Sequence, residues 1–197
     1  MIFTSPPETA AWRHHTARTG FEVVYFQPTR GGHLIEGRTT AVEEGQTWAV
    51  GYTIEVDAGW RTRRAQLTSR SMAGVRETVL ESGDPGSWRV DGVPAPHLDG
   101  CLDVDLESSA MTNAFPVHRL LLAVGAGQDA PAAYVRAVDL TVERLDQHYT
   151  RIPDEGRRQR YDYAAPVFDV ACRLIYDESG FVLDYPGLAS RVDLRTR

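Results

Sequence analysis

Lysine is absent from this chain: all 21 of its basic residues are arginine. The bias runs through the whole sequence, so a GC-rich genome explains it. The other reading is anion recognition, because guanidinium forks match carboxylates and phosphates. Cysteine is scarce, with only Cys101 and Cys172. No CxxC or HxxxH spacing occurs, and the six histidines are scattered, so neither a zinc site nor a resident cofactor is expected. Positive charge is also lacking. A net charge of −6 excludes a general nucleic-acid binder and a polybasic membrane anchor. No apolar run nears the length of a membrane-spanning helix, so no integral membrane segment is expected. The opening stretch MIFTSPPETAAWRHH lacks a signal-peptide core, which points to a cytoplasmic protein with two reduced thiols. Catalytic triads, nucleophile elbows and phosphate loops are missing too.

What is present is alternation. The chain has 197 residues, 42% of them apolar, enough for one domain with a proper core. In Thr47–Asp57, Trp48, Val50, Tyr52, Ile54 and Val56 point one way, and Ala49, Gly51, Thr53 and Glu55 the other. Val167–Tyr176 repeats the pattern with Phe168, Val170, Cys172, Leu174 and Tyr176, and Val138, Leu140 and Val142 form a shorter alternation. Further strands are expected at 21–27, 33–42, 61–71, 75–81, 87–90, 102–106, 161–164 and 181–185. Turn sequences such as Gly31-Gly32, Glu43–Gly45 and Asp91-Gly92 separate them. So many strands joined by tight turns predict a mainly β fold: a curled antiparallel sheet or incomplete barrel.

Helix signals are few. Thr112 or Asn113 caps a short helix carrying Pro116 and ending near Gly125. Pro7–Ala17 is a candidate for another turn or two, within a peripheral stretch of about 20 residues. PDEGRRQR, from Pro153 to Arg160, reads as an exposed loop. Val56–Trp60 and Tyr176–Phe181 echo one another, each ending a strand on an acidic turn and restarting on an aromatic. Either two half-sheets are related, or two hairpins share the same turn grammar.

The chemistry-bearing residues concentrate between Gly86 and Leu120. Cys101 precedes Asp103 and Asp105, with His97 and His118 nearby in sequence, but the pattern matches no cysteine enzyme. Asp103 and Asp105 share one face of a strand. There they pair with arginines such as Arg61, Arg63 or Arg119, bind a ligand, or divide acid and base roles. Trp60, Trp88, Tyr161, Tyr163 and Tyr185 lie beside turns, where aromatic faces either pack the core or stack on sugar rings.

The stretches YTIEVDAGWRTRRAQL, GSWRVDG, LDGCLDVDL, MTNAFPVHRL, YDYAAPVF and ESGFVLDYPGL together resemble a bacterial family named for glycolipid binding. They run in family order over most of the chain after Tyr52. The chain departs from the family at His118, more often arginine, and at Ser109-Ala110, more often Thr-Pro. The resemblance implies a shape similar to periplasmic lipoprotein carriers, with an amphiphilic small molecule such as a glycolipid held in the concave face. It brings no catalytic residues. The residues in these stretches that suit a head group are Trp60, Arg61, Arg63, Trp88, Asp103, Asp105, Asn113, Arg119 and Tyr163. Two other functions stay open: a hydrolase or isomerase using Asp103 and Asp105 with an arginine or histidine, and a homo-oligomeric module, a homodimer in the simplest case.

Overall fold

The computed structural model describes residues 3–16, 18–83 and 86–193. Strands β1 Thr9–His14, β2 Thr19–Thr29, β3 Gly32–Glu43, β4 Gln46–Asp57, β5 Thr62–Ser71, β6 Gly74–Gly83, β7 Ser87–Val90 and β8 Val93–Pro94 form a meander. The middle of the chain holds β9 Asp103–Leu106, helix α1 Ala114–Leu120, β10 Gly127–Asp129, β11 Ala132–Val135 and β12 Val142–Leu145. The meander resumes with β13 His148–Glu155, β14 Arg158–Ala165, β15 Val170–Tyr176, β16 Val182–Tyr185 and β17 Ala189–Arg191. One 14-stranded sheet results, in the order β10-β13-β14-β15-β16-β17-β1-β2-β3-β4-β5-β6-β7-β8. Its edges, β10 and β8, do not pair with each other, so the curled sheet is not closed into a barrel. No helix among the described residues is long and apolar enough to cross a membrane.

The concave face is filled by the chain itself. The segments of about 95–122 and 130–147, holding the small sheet β12-β11-β9 and α1, lie against the inner face as a plug, and β10 between them joins the sheet's edge. The plug's strands β9 and β11 are buried on both faces. On the β1–β8 side, Ile35, Ile54, Leu67 and Leu80 are fully buried with Val104, Met111 and Phe115. Burying each such side chain contributes about 1.5–3 kcal/mol. On the other side, Tyr149, Tyr161, Leu174 and Tyr176 pack with Val117 and Leu145.

A buried irregular segment needs partners for its carbonyls. The sheet supplies them from polar residues set within its inward faces. Thr39 Oγ1 donates to the carbonyl of Ser108 (2.8 Å), Ser69 Oγ to that of Ala137 (2.7 Å), and Tyr176 OH to that of Asn113 (3.1 Å). The Thr62 amide donates to the carbonyl of Leu102, and its hydroxyl accepts the amide of Val104 (both 3.0 Å).

Several details depart from the sequence reading. Thr9–His14 is a strand and not a helix, and it is not peripheral: β1 sits between β17 and β2, with Trp12 fully buried. Val138 and Leu140 lie in the turn between β11 and β12, where Asp139 Oδ1 accepts the amide of Thr141 (3.0 Å) and Leu140 takes φ 57°. PDEGRRQR is the end of β13, a turn at Gly156 and the start of β14. Phe168 ends a 3-10 turn that precedes β15, while Trp48, Tyr52, Ile54 and Leu174 are buried as expected.

Candidate functional site

Most of the residues singled out in the sequence converge on the plug. Arg119, on α1, grips Asp103, on β9, with both arms of its guanidinium: Nε to Oδ1 at 3.1 Å and an Nη to Oδ2 at 2.5 Å. Asp103 is 1% exposed, and burial raises its carboxyl against the pull of Arg119 and Arg61. Asp105 accepts the hydroxyl of Thr112 (2.8 Å). Burial pushes its carboxyl up to about 6, opposed by the Thr112 bond and assisted by the charge on Asp103. Asn113 Oδ1 accepts Tyr149 OH, and Tyr163 OH donates to Gln147 Oε1, both at 3.0 Å. Trp88 is buried, with Nε1 on the carbonyl of Cys101 (2.9 Å). Both cysteines are free, and burial raises each thiol to about 11.

Trp60 and the arginines after it lie apart, at the β4–β5 turn. Arg61 is exposed, and Arg63 pairs with Asp57 through an Nη at 2.7 Å. Trp60 adopts φ 63° and stacks between two histidines, His118 at 3.8 Å and His33 at 4.8 Å between ring centroids. His118 comes from α1, next to Arg119. Asp103, Asp105, Asn113, Arg119, Trp88 and Tyr163 therefore brace the plug from inside and Trp60 holds it at the rim, while Arg61 and Arg63 lie at the β4–β5 turn. Burial also raises the hydroxyls of Tyr149, Tyr161, Tyr163, Tyr176 and Tyr185, so they stay neutral donors.

An open cavity lies on the opposite face of the sheet. A trough of about 890 Å³ crosses β2–β5 on the side turned away from the plug. The strand register sets out its lining as a lattice. One row runs Phe21, Thr40, Ala49, Arg70; the next Val23, Arg38, Gly51, Thr68; the third Tyr25, Glu36, Thr53, Gln66. Read along the strands, β2 gives an apolar wall and β4 a floor of small side chains. Strand β5 gives a polar wall, and β3 carries the charges. Three rows span about 13 Å along the strands at about 3.3 Å per residue. Phe21 and Tyr25 are solvent-exposed at 39% and 56%. The Arg38 guanidinium lies beside the gap at Gly51, with Nε, Cζ and an Nη each 3.9 Å from where a Cβ on residue 51 would sit.

Reasoning from sequence overlooked this face. The signal was the off-face set of β4, Ala49, Gly51 and Thr53, too small to cover a sheet flanked by Phe21 and Tyr25 on one side and Arg70 on the other.

Comparison with known proteins agrees with the architecture. A crystal structure of a DUF1089-family protein from Pseudomonas aeruginosa superposes with a TM-score of 0.75 at 30% identity, covering 98% of this chain and 100% of that one. A β-barrel-like protein of unknown function from Brucella abortus, DUF1849, matches at 11% identity and a TM-score of 0.51, covering 96% and 95% of the two chains; that likeness is one of fold alone. No curated protein matches. The model of the family described as "Putative glycolipid-binding" matches residues 9–191, and the chain belongs to that family.

Proposed function

We propose that this protein binds an amphiphilic small molecule of the glycolipid class without transforming it, and that the ligand lies in the outer trough of β2–β5. The observation that carries this reading is the pairing of an apolar wall with a polar one across a floor of small residues, in a cavity of about 890 Å³. An aliphatic tail rests on Phe21, Val23 and Tyr25. A head group meets Thr40, Thr68, Gln66 and the arginines. Such a cavity, apolar with a few placed polar groups, is the usual form of a small-molecule site. The family description supports the ligand class. The plug occupies the concave face, and the trough on the outer face is open to a ligand.

An enzymatic role for Asp103 and Asp105 has less support. Asp103 is held by both arms of Arg119, and Asp105 lies under Thr112 inside the plug.

The test is a titration of octyl, decyl and dodecyl glucoside, each below its micellar concentration. Each buried methylene contributes up to about 0.8 kcal/mol, so affinity should climb several-fold per two carbons. Gly51→Val should abolish binding by filling the floor, with the thermal midpoint kept. Affinity independent of chain length, or undisturbed by Gly51→Val, would refute the reading.

A further inference from the structure

We infer that the trough selects an amphiphile whose head group bears a phosphate monoester, held between Arg38 and Arg70; this rests on the reading that the trough binds amphiphiles. Several other guanidiniums of the protein meet carboxylates: Arg63 with Asp57, Arg119 with Asp103, Arg151 with Asp154, Arg173 with Asp162. Arg38 and Arg70 have no hydrogen bond or ion pair among the described residues, although both line the cavity. They stand on β3 and β5, one on each side of the small floor of β4, and one row apart: Arg38 is level with Gly51 and Arg70 with Ala49. Two strand spacings and a two-residue offset set their Cα atoms about 12 Å apart, a gap that two long side chains close over the floor.

The number of acceptors selects the anion. A carboxylate has two oxygens, which a single guanidinium fork satisfies. Two guanidiniums arriving from opposite sides, with the hydroxyls of Thr40 and Thr68 beside them, call for a group with three outward oxygens, which a phosphate monoester has. Glu36 and Glu77 are the carboxylates nearest to the arginines on the same side. Glu36 lies one row beyond Arg38, and Glu77 lies on β6 level with Thr68. Neither pairs with Arg38 or Arg70 among the described residues. Their repulsion confines the anion to the Arg70 end, over Ala49. The tail then runs along Val23 and Tyr25.

Calorimetric titration of the full chain with dodecyl phosphate, dodecyl maltoside and inorganic phosphate, all below micellar concentrations, tests this. The wild type should prefer dodecyl phosphate to dodecyl maltoside by at least tenfold and bind inorganic phosphate far more weakly. The double variant Arg38→Gln/Arg70→Gln should lose that preference, its affinity for dodecyl phosphate falling at least tenfold more than its affinity for dodecyl maltoside. Its thermal midpoint should hold, since both side chains are exposed. A charge-matched control, Arg30→Gln/Arg158→Gln, exposed and outside the trough, should keep the preference. The inference is overturned if the two surfactants bind alike, if the preference survives in the Arg38/Arg70 variant or disappears in the control, or if inorganic phosphate matches dodecyl phosphate and so marks a site for the free ion. Failure of both surfactants to bind would instead sink the amphiphile reading itself.

Discussion

Trp60 and His118 stack face to face, their ring centroids 3.8 Å apart and their planes 16° from parallel. The contact joins the β4–β5 turn to helix α1, and so ties the sheet to its plug. It also dictates the charge of the histidine. Burial lowers the His118 imidazole to about 3, and the neighbouring His33 adds to that fall while the Ser179 backbone opposes it. An unfolded histidine titrates near 6.5. Below that pH the unfolded chain takes up a proton that the folded one refuses, so stability falls on acidification. His118→Phe keeps the stack and removes the titration. Urea midpoints of the wild type should drop between pH 6.5 and 4, by on the order of 3 kcal/mol from this group. The variant should lose most of that slope, with His33 leaving a remainder.

Asp105 acts in the opposite sense within the same window. Its folded carboxyl is raised to about 6, against about 3.9 for the unfolded chain. The folded state therefore holds the proton more tightly, and this contribution to stability is lost as pH rises from about 4 to 6. Asp105→Asn keeps an acceptor for the Thr112 hydroxyl and carries no charge. It should stabilise the protein by about 2–3 kcal/mol at pH 7.5 and change little at pH 4. Thermal melts at the two pH values decide the matter.

The Asp103–Arg119 pair is buried on both sides, at 1% and 11% exposure of the two side chains. Removing one partner leaves an unpaired buried charge, which costs about 3–5 kcal/mol. Arg119→Met should show that loss in denaturant titration. Asp103→Asn added to Arg119→Met should recover part of it by removing the stranded charge.

Two turns share one hydrogen-bond scheme. Asp57 Oδ1 accepts the amides of Gly59 (2.8 Å) and Arg61 (3.0 Å); Asp177 Oδ1 accepts those of Ser179 (2.9 Å) and Phe181 (3.0 Å). The third residue after each aspartate, Trp60 or Gly180, takes a positive φ. Asp57→Ala and Asp177→Ala should each cost about 0.5–1.5 kcal/mol, the net worth of a turn hydrogen bond lost to water. The asparagine variants keep the Oδ1 acceptor and should lose less. Equilibrium unfolding in urea measures all four.

Two glycines on neighbouring strands should respond oppositely to alanine. At Gly37 a Cβ would stand 2.0 Å from Cζ of Tyr52, whose ring crosses β3 so that its hydroxyl reaches Glu22 (2.6 Å). Gly37→Ala should cost several kcal/mol, about as much as other overpacked cores. At Gly51 the nearest atoms stand at 3.9 Å. Gly51→Ala should be neutral or add about 0.5–1 kcal/mol, because glycine is a poor strand residue. Differential scanning calorimetry separates the two.

The long strands were legible because one face of each is wet, and alternation marks that boundary. Trp48 to Val56 is the clearest instance. Within the plug β9 and α1 were legible too, but β11, AAYV, was not, because it is buried on both faces and so carries no alternation. Thr39 and Ser69, polar residues on inward faces, serve as donors to the plug's carbonyls. The motifs around Asp103 and Arg119 stood out because buried polar networks demand particular residue types. The trough lining has no such demand, so it left only a row of small residues where bulk was expected. The echo between Val56–Trp60 and Tyr176–Phe181 is a shared geometry, down to the acceptor atom.

Strand β17 completes the sheet by pairing with β1, some 180 residues earlier in the chain. A ribosome delivers the meander β1–β8 first, with one edge of β1 lacking its neighbour until synthesis is almost finished. Through that interval the indole of Trp12 lacks its acceptor, the carbonyl of Val182 (2.7 Å). Such late, long-range pairing slows folding and leaves a strand edge open to other chains. The vulnerable species is thus the nascent chain, and the partner best shaped to invade it is the β17 of another copy.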